Sequence, residues 1–307
     1  MSIFTVTLNP ALDKSTVSPV IVADNKLSCS DPIYHPGGGG INVARVLHRF
    51  NAEHLAIFQS SGPSGEMIEK LLKEEEVDFM SFETENWTRE NFIVVDDSTQ
   101  LQYRFGMNGP EFSEDEVKMC FELITNLEEL PEILVLSGSL PPGVPVNFYA
   151  DVVKWAKSKG IKVIVDTNGE ALDAALEEGV LLIKPNIKEL SDMAGKEHVT
   201  GKEQEEVALS IVESGKSEYV IVSLGARGAM IASKEGIEYV TTPTVEQKST
   251  VGAGDSMVAG MCYAISEGMS PRDILRYGVA CGTGAVMNTG SKLCKIKDVN
   301  SLLELIS

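Results

Sequence analysis

The chain has 307 residues, of which 43% are hydrophobic, which allows one large α/β domain with an appendage or two domains and gives no sign of disorder. Its formal net charge of −19 and isoelectric point near 4.6 argue against nucleic acid or an anionic membrane surface as a partner. Five scattered cysteines with no Cys-x-x-Cys pair suit free thiols, no apolar run reaches spanning length, and the first residues carry no basic leader, so a cytoplasmic protein is expected.

Residues 3–8 predict a buried strand closed by Asn9-Pro10, with Asp13 in the loop that follows. Residues 14–34 are β-rich and more polar, without a helical period, and predict a pair of strands outside the main core. Next come Gly37, Gly38, Gly39 and Gly40, then an amphipathic helix with Asn42 in its first turn. Such a run lets backbone come very close to a ligand, with Asn42 able to hydrogen-bond hydroxyls. A passive surface loop is the alternative, at an entropic cost of about 1 kcal/mol per glycine. Residues 91–95 and 100–105 predict a hairpin flanked by Arg89 and Arg104. These are either solvated charges or a bidentate clamp on a phosphate.

From residue 113 onward, short apolar strands alternate with helices, with strands expected at 133–137, 162–166, 181–183 and 219–223. That pattern predicts a mostly parallel sheet covered on both faces, whose ligands sit at the carboxyl ends of the strands. Asp13, residues 137–139, Asp166, Asn186 and Gly225 all follow strands at that end. Gly282-Thr283-Gly284 lacks the third glycine of a dinucleotide fingerprint and reads as helix packing.

The stretch Ser249-Thr250-Val251-Gly252-Ala253-Gly254-Asp255-Ser256-Met257 concentrates the chemistry. Two glycines around Ala253 let backbone amides converge, and from Asp255 the pattern is helical and apolar. Amides at a helix start hold anions, and a carboxylate beside them can act as a general base. Asp255 as a plain N-cap above a tight turn is the other reading. No Walker-type loop, HExxH, GxSxG or metal-ligand histidine spacing occurs. Asn186 and Glu189 are suited to holding a hydrated Mg²⁺ through water. The set fits phosphoryl transfer.

Five segments taken together resemble the ribokinase-like (PfkB) family of carbohydrate kinases over essentially the whole chain. They are Gly-Gly-Gly-Gly-Ile-Asn-Val-Ala, Ser-Gly-Ser-Leu-Pro-Pro-Gly, Lys-Pro-Asn-Ile-Lys-Glu-Leu, Val-Ser-Leu-Gly-Ala-Arg-Gly-Ala and Ser-Thr-Val-Gly-Ala-Gly-Asp-Ser-Met. The resemblance implies a single ribokinase-like three-layer α/β/α domain with a mostly parallel central sheet and a small β-sheet lid, its strands inserted at about 14–34 and 88–106. It implies Asp255 as the base and Gly252, Ala253 and Gly254 as the anion hole for the transferred phosphoryl group. Lys184, Asn186, Ser223, Gly225 and Gly228 would bind ATP, and Asn186 with Glu189 would tune Mg²⁺ through water. Asp13, Gly37, Gly38, Asn42 and Ser139 would bind the sugar, and Arg89 and Arg104 its existing phosphate.

Within the family the chain is similar to the phosphosugar kinases, whose lid commonly pairs with a second subunit's lid, which implies a homodimer. Members that act on fructose 1-phosphate or tagatose 6-phosphate usually carry Gly-Lys-Gly where this chain has Gly39 in place of the lysine. Trp87-Thr88-Arg89-Glu90-Asn91 and Gln102-Tyr103-Arg104-Phe105 also resemble members that act on fructose 6-phosphate. The expected reaction is therefore ATP-dependent phosphorylation of fructose 6-phosphate at its 1-hydroxyl, with the other two sugars as alternatives. A catalytically silent sugar-phosphate sensor is the reading from another class. Ser249 stands where many relatives have Asp beside a monovalent-cation site, so K⁺ is an optional cation on this reading.

Overall fold

The computed structural model describes residues 1–290 and 292–306. The chain begins with β1 (Ile3–Thr7), β2 (Ala11–Ser18), β3 (Ile33–Gly37), α1 (Gly39–Arg49), β4 (His54–Gln59), α2 (Gly62–Glu74) and β5 (Phe79–Phe82). It continues through β6 (Arg89–Asp96), β7 (Gln102–Phe105), α3 (Glu114–Thr125), β8 (Ile133–Ser137), α4 (Phe148–Ser158), β9 (Lys162–Asp166), α5 (Gly169–Glu178) and β10 (Val180–Ile183). The last part holds α6 (Ile187–Met193), α7 (Lys202–Glu213), β11 (Ser217–Ser223), β12 (Ala229–Ser233), β13 (Gly236–Val240), α8 (Ala253–Ser266), α9 (Pro271–Val286) and α10 (Ile296–Leu305).

Nine strands form one sheet in the order β13-β12-β11-β10-β9-β8-β1-β4-β5, parallel except where β12 runs against both neighbours. Successive strand residues divide between two apolar cores. Phe4, Leu134, Leu136, Val163, Val165, Val220 and Val222 face one side, and Ile3, Ile133, Val135, Ile164 and Ile221 face the other. The inner strands are thus buried on both faces and read as continuous apolar runs rather than alternating ones, while the edge strands β5 and β13 are partly exposed. Helices α3 to α7 cover the first side, and α1, α2, α8, α9 and α10 the second. The result is the expected three-layer α/β/α, ribokinase-like architecture. Among the described residues no helix is long and apolar enough to cross a membrane.

A second sheet, β3-β2-β6-β7, stands outside these layers, with a parallel central pair, β2 and β6, and antiparallel outer pairs. Its residues 11, 13, 89, 91 and 93 share one face with Arg104, by the period of two and the strand register. Arg104 donates to Thr250 Oγ1 across the intervening space, so this face looks onto the loop before α8. Lys14, Tyr34, Phe92, Val94, Tyr103 and Phe105 form the opposite face, with the Lys14 ammonium 5.3 and 5.5 Å from the Tyr34 and Phe92 ring centroids.

One local expectation is corrected. Asp13 lies inside β2, not in a loop, because pairing with both β3 and β6 continues the strand through it. The segment after Asn186 is a short helix, α6, of seven residues.

Candidate active site

The site collects at the carboxyl ends of the parallel strands, where α8 also begins. Gly252 is the N-cap of α8 in the left-handed conformation (φ 71°), which favours glycine, and a Cβ there would have to displace Leu293 Cδ2, 2.6 Å away. Asp255 is the third residue of α8 and does not cap it, which removes the plain N-cap reading. Among the described residues the N–H groups of Gly252, Gly254 and Asp255 find no acceptor, while Ala253 reaches Thr250 O only at 3.4 Å. Unpartnered amides at a helix start form a ready anion hole.

Asn42, in the first turns of α1, donates from Nδ2 to Asp255 Oδ2 at 2.7 Å. Asp255 is half-buried and follows Gly254, which lines the cleft. Burial, reinforced by the Asp166 charge, pushes its carboxyl up to about 6; the Asn42 hydrogen bond and the Lys184 charge oppose the rise, and Asp13 adds to it. The Lys184 side chain is 9% exposed and its Nζ lies 3.4 Å from Asp166 Oδ1. Burial acts against its ammonium, but Asp166, Glu189 and Asp255 outweigh that and raise its pKa. A carboxylate ready to ionise near neutrality thus sits next to a held cation and an anion hole, the arrangement a general base requires.

On one side of Asp255 opens a cleft of about 560 Å³ lined by Asn186, Ser223, Gly225, Gly228, Thr242, Val245, Thr250, Ala253, Gly254, Met257, Val279, Gly282 and Val286. A Cβ on Gly228 would collide with Val240 O, and its φ is 94°, so glycine lets the turn after β11 close onto the strand end that forms the wall. Asn186 and Glu189 turn out to be a reciprocal capping box. Asn186 Oδ1 accepts from Glu189 N at 2.9 Å, and Glu189 Oε2 accepts from Asn186 N at 2.8 Å. Glu189 Oε1 is left over. Among the described residues no three His, Cys, Asp or Glu side chains are grouped to hold a metal. The residues therefore fit a Mg²⁺ carried mainly by phosphates and water, not one caged by protein.

On the other side, beneath the small sheet, a space of about 680 Å³ is lined by Asn9, Arg89, Asn108, Ser139 and Asn168 among others. Arg89 is tied to three carbonyls, those of Pro10, Met107 and Asn9, which leaves part of its donor set for a ligand. Asn9 Nδ2 donates to Ser139 Oγ at 3.1 Å, and its buried Oδ1 has no partner. Asp13 accepts from Asn91 Nδ2 at 3.0 Å, and a Cβ on Gly37 would come within 2.7 Å of Asp13 Oδ2, so Gly37 leaves room for that carboxylate. Burial raises the Asp13 carboxyl against the pull of Asn91, Arg89, Arg45 and Arg104. Gly38 is the N-cap of α1, with φ 124°. Asn42 and Asp255 thus meet, with Asp13 near enough for its charge to act on Asp255, whereas Arg89 and Arg104 approach the site from separate edges, Arg89 through residues 9–10 and Arg104 through Thr250.

Sequence reasoning missed Asn9, Asn91, Asp166 as Lys184's partner, and the apolar wall of Thr242, Val245, Val279 and Val286. Gly282, read there as helix packing, does pack, against Ala253 and Met257 of α8, and it also lines the cleft, while Gly284 packs against Cys294 Cβ. A paired hydrophobic wall carries no motif of its own, so only Asn9-Pro10 at a strand end offered a signal.

This fold and cleft define a ribokinase-like kinase of small hydroxylated substrates. The comparisons agree. The pfkB family carbohydrate kinase model matches residues 6–298. The chain is 42% identical over 306 residues to the ATP-dependent 6-phosphofructokinase isozyme 2 of Escherichia coli, covering 99% of each chain. It is 34% identical over 288 residues to the 1-phosphofructokinase of Bacillus subtilis, covering 93% of each. Among solved structures, phosphofructokinase-2 from Escherichia coli with substrates and products superimposes with a TM-score of 0.95 at 41% identity, over 99% of both chains. The same protein in complex with potassium gives 0.94 at 41% identity, over 99% of this chain and 98% of that one. The chain belongs to the pfkB family of carbohydrate kinases.

Proposed function

We propose that the protein is an ATP-dependent 6-phosphofructokinase, converting fructose 6-phosphate to fructose 1,6-bisphosphate. The observation that carries this reading is Asp255, half-buried beside three unpartnered amides with a carboxyl raised to about 6. The sugar's 1-hydroxyl oxygen forms a bond to the γ-phosphorus while the bond to the β-phosphate oxygen breaks and ADP leaves. The hydroxyl proton passes to Asp255. Gly252, Gly254 and Asp255 N–H groups receive the charge on the moving phosphoryl oxygens, with Lys184 beside them. Asp13, Gly37, Gly38, Asn42 and Ser139 orient the sugar, and Arg89 and Arg104 hold its 6-phosphate. Lys184, Asn186, Ser223, Gly225 and Gly228 bind ATP. Mg²⁺, when bound near Asn186 and Glu189, neutralises phosphate charge. The potassium complex of the Escherichia coli relative extends the proposal to a monovalent cation by the Ser249 loop, read out as a K⁺ dependence of the same assay.

The choice of sugar rests on position 39 and on the identity to the Escherichia coli enzyme. A Cβ on Gly39 would collide with Ser137 Oγ, so a lysine there would need that hydroxyl to turn away. Here the space belongs to the hydroxyl, and the duty of holding a phosphate falls to the lid arginines. The identity to a 1-phosphofructokinase supports fructose 1-phosphate as the second reading. The test is kcat/KM with MgATP on fructose 6-phosphate, fructose 1-phosphate and tagatose 6-phosphate. Fructose 6-phosphate is expected to lead by at least about tenfold, since a misplaced phosphate forfeits its charge-assisted hydrogen bonds to half-buried Arg89 and exposed Arg104. A lead for either other sugar would keep the chemistry and sink the assignment of position 39.

The outer face of the small sheet supports a homodimer. Tyr103 is 39% and Phe105 51% exposed, beside Tyr34, Phe92 and Val94, an apolar patch suited to a second copy of the same face. Phe105→Glu is expected to convert a dimer to a monomer in light scattering. A variant that stays dimeric would place the interface elsewhere.

A further inference from the structure

Arg45 has no part in the site as described, yet it is bound to it. The residue is 2% exposed. Its guanidinium reaches in two directions. Nε and Nη2 donate to Glu75 Oε2 and Oε1 at 2.9 and 2.6 Å, and Nη1 donates to Pro36 O at 3.2 Å and Asn42 Oδ1 at 3.1 Å. An arginine offers only donors. The Asn42 atom that faces it must therefore be the carbonyl oxygen, and the amide's NH₂ is turned toward Asp255. A flipped amide would set donor against donor at one end and carbonyl against carboxylate at the other.

We propose that Arg45 is a positioning residue for the reaction: it locks the Asn42 amide so that Asp255 Oδ2 always receives a donor and Oδ1 is left to take the substrate's proton. The inference rests on the reading of Asp255 as the base. Glu75, immediately after α2, anchors the outer end, so a continuous hydrogen-bonded chain crosses from α2 through α1 to α8. The other groups facing Asp255 are Asp13 from β2, Asp166 from the end of β9 and Lys184 after β10. Arg45 also acts by its charge on Asp13, so only a change that keeps a cation at position 45 leaves all three as they are. Movement of the Asp255 ionisation in such a variant reports on the amide.

A buried ion pair that merely ties α1 to α2 would affect stability and nothing else. Arg45→Lys separates the two roles, because an ammonium can keep the pair with Glu75 but has no second arm for Asn42. The experiment measures kcat/KM for fructose 6-phosphate against pH at saturating MgATP, with Tm, for the wild type, Arg45→Lys, Arg45→Met and Asp255→Asn. Arg45→Lys is expected to fold with a Tm near the wild type while its acid limb moves up by roughly 0.5–1 pH unit, the scale of one hydrogen bond to a charge. That means about three- to tenfold less activity on the acid side. Arg45→Met is expected to show the same shift with a lower Tm, and if it does not fold, Arg45→Lys decides alone. An acid limb at the wild-type position in Arg45→Lys overturns the proposal. Should that happen while Asp255→Asn is inactive at every pH, the base survives and only the positioning role falls. Substantial activity in Asp255→Asn would instead remove the base and the proposal with it.

Discussion

Asp255→Asn is expected to lose roughly 10²–10⁴ in kcat, the span of a missing general base, with sugar KM little changed. It is also expected to be more stable than the wild type. The carboxyl stands at about 6 instead of 3.8, so the folded protein binds its proton more tightly than the unfolded chain does. Below pH 4 both states hold the proton and nothing is lost. As the pH rises from 4 to 6 the unfolded chain ionises freely while the folded one resists, and stability falls; above 6 the penalty is constant. About two units correspond to about 3 kcal/mol at most. The partial exposure of Asp255 reduces this to on the order of 1–2 kcal/mol, or a few degrees in Tm. An amide at this position carries no such cost and can still accept from Asn42 Nδ2. Activity and stability should therefore move in opposite directions at neutral pH, and the gap in Tm should close below about pH 4. A variant that lost both together would show a structural residue, and one that kept its rate would leave Asp255 without a role in proton transfer.

How much of this site was legible in the sequence depends on how local each interaction is. Asp255 and its glycines stood out because the anion hole is built from consecutive residues. The parallel sheet was legible because strands buried on both faces, such as residues 133–137, carry apolar residues at every position. The partnership of Asn42 with Asp255 was not, since it joins residues 213 apart through packing of α1 on α8. Arg45 carries no local sign of its role, and only the end of α2, which places Glu75 opposite, makes it a buried fork. Asn186 and Glu189 illustrate a different limit. Their spacing was read as metal chemistry, and the same spacing builds a capping box, because both uses need an acceptor and a carboxylate three residues apart. Asp13 was misplaced into a loop for lack of any local sign that β3 and β6 would pair on either side of it.

Lys184→Met should be the second most damaging change, and its pH dependence says why. Lys184 lies between Asp166, 3.4 Å away, and the start of α8, where a Cβ on Gly254 would be 3.5 Å from its Nζ. Two effects are expected from its loss. The cation beside the moving phosphoryl group disappears, at a cost of roughly 10²–10³ in kcat. Asp255 also loses the charge that opposes Asp166, so its carboxyl, already near 6, rises further, by about one unit for an opposite charge at such range. At pH 7 about half of the base is then protonated, and the acid limb of kcat/KM should shift upward so that part of the loss is recovered between pH 8 and 9. Lys184 itself, with a raised pKa, stays charged throughout that window in the wild type and contributes no limb of its own. The double variant Lys184→Met/Asp166→Asn removes the second carboxylate as well. It should return the acid limb toward the wild-type position without restoring the rate at high pH, because no cation has been put back. A loss in Lys184→Met that is uniform across pH would mean that the lysine touches phosphate only and that Asp255 is tuned without it.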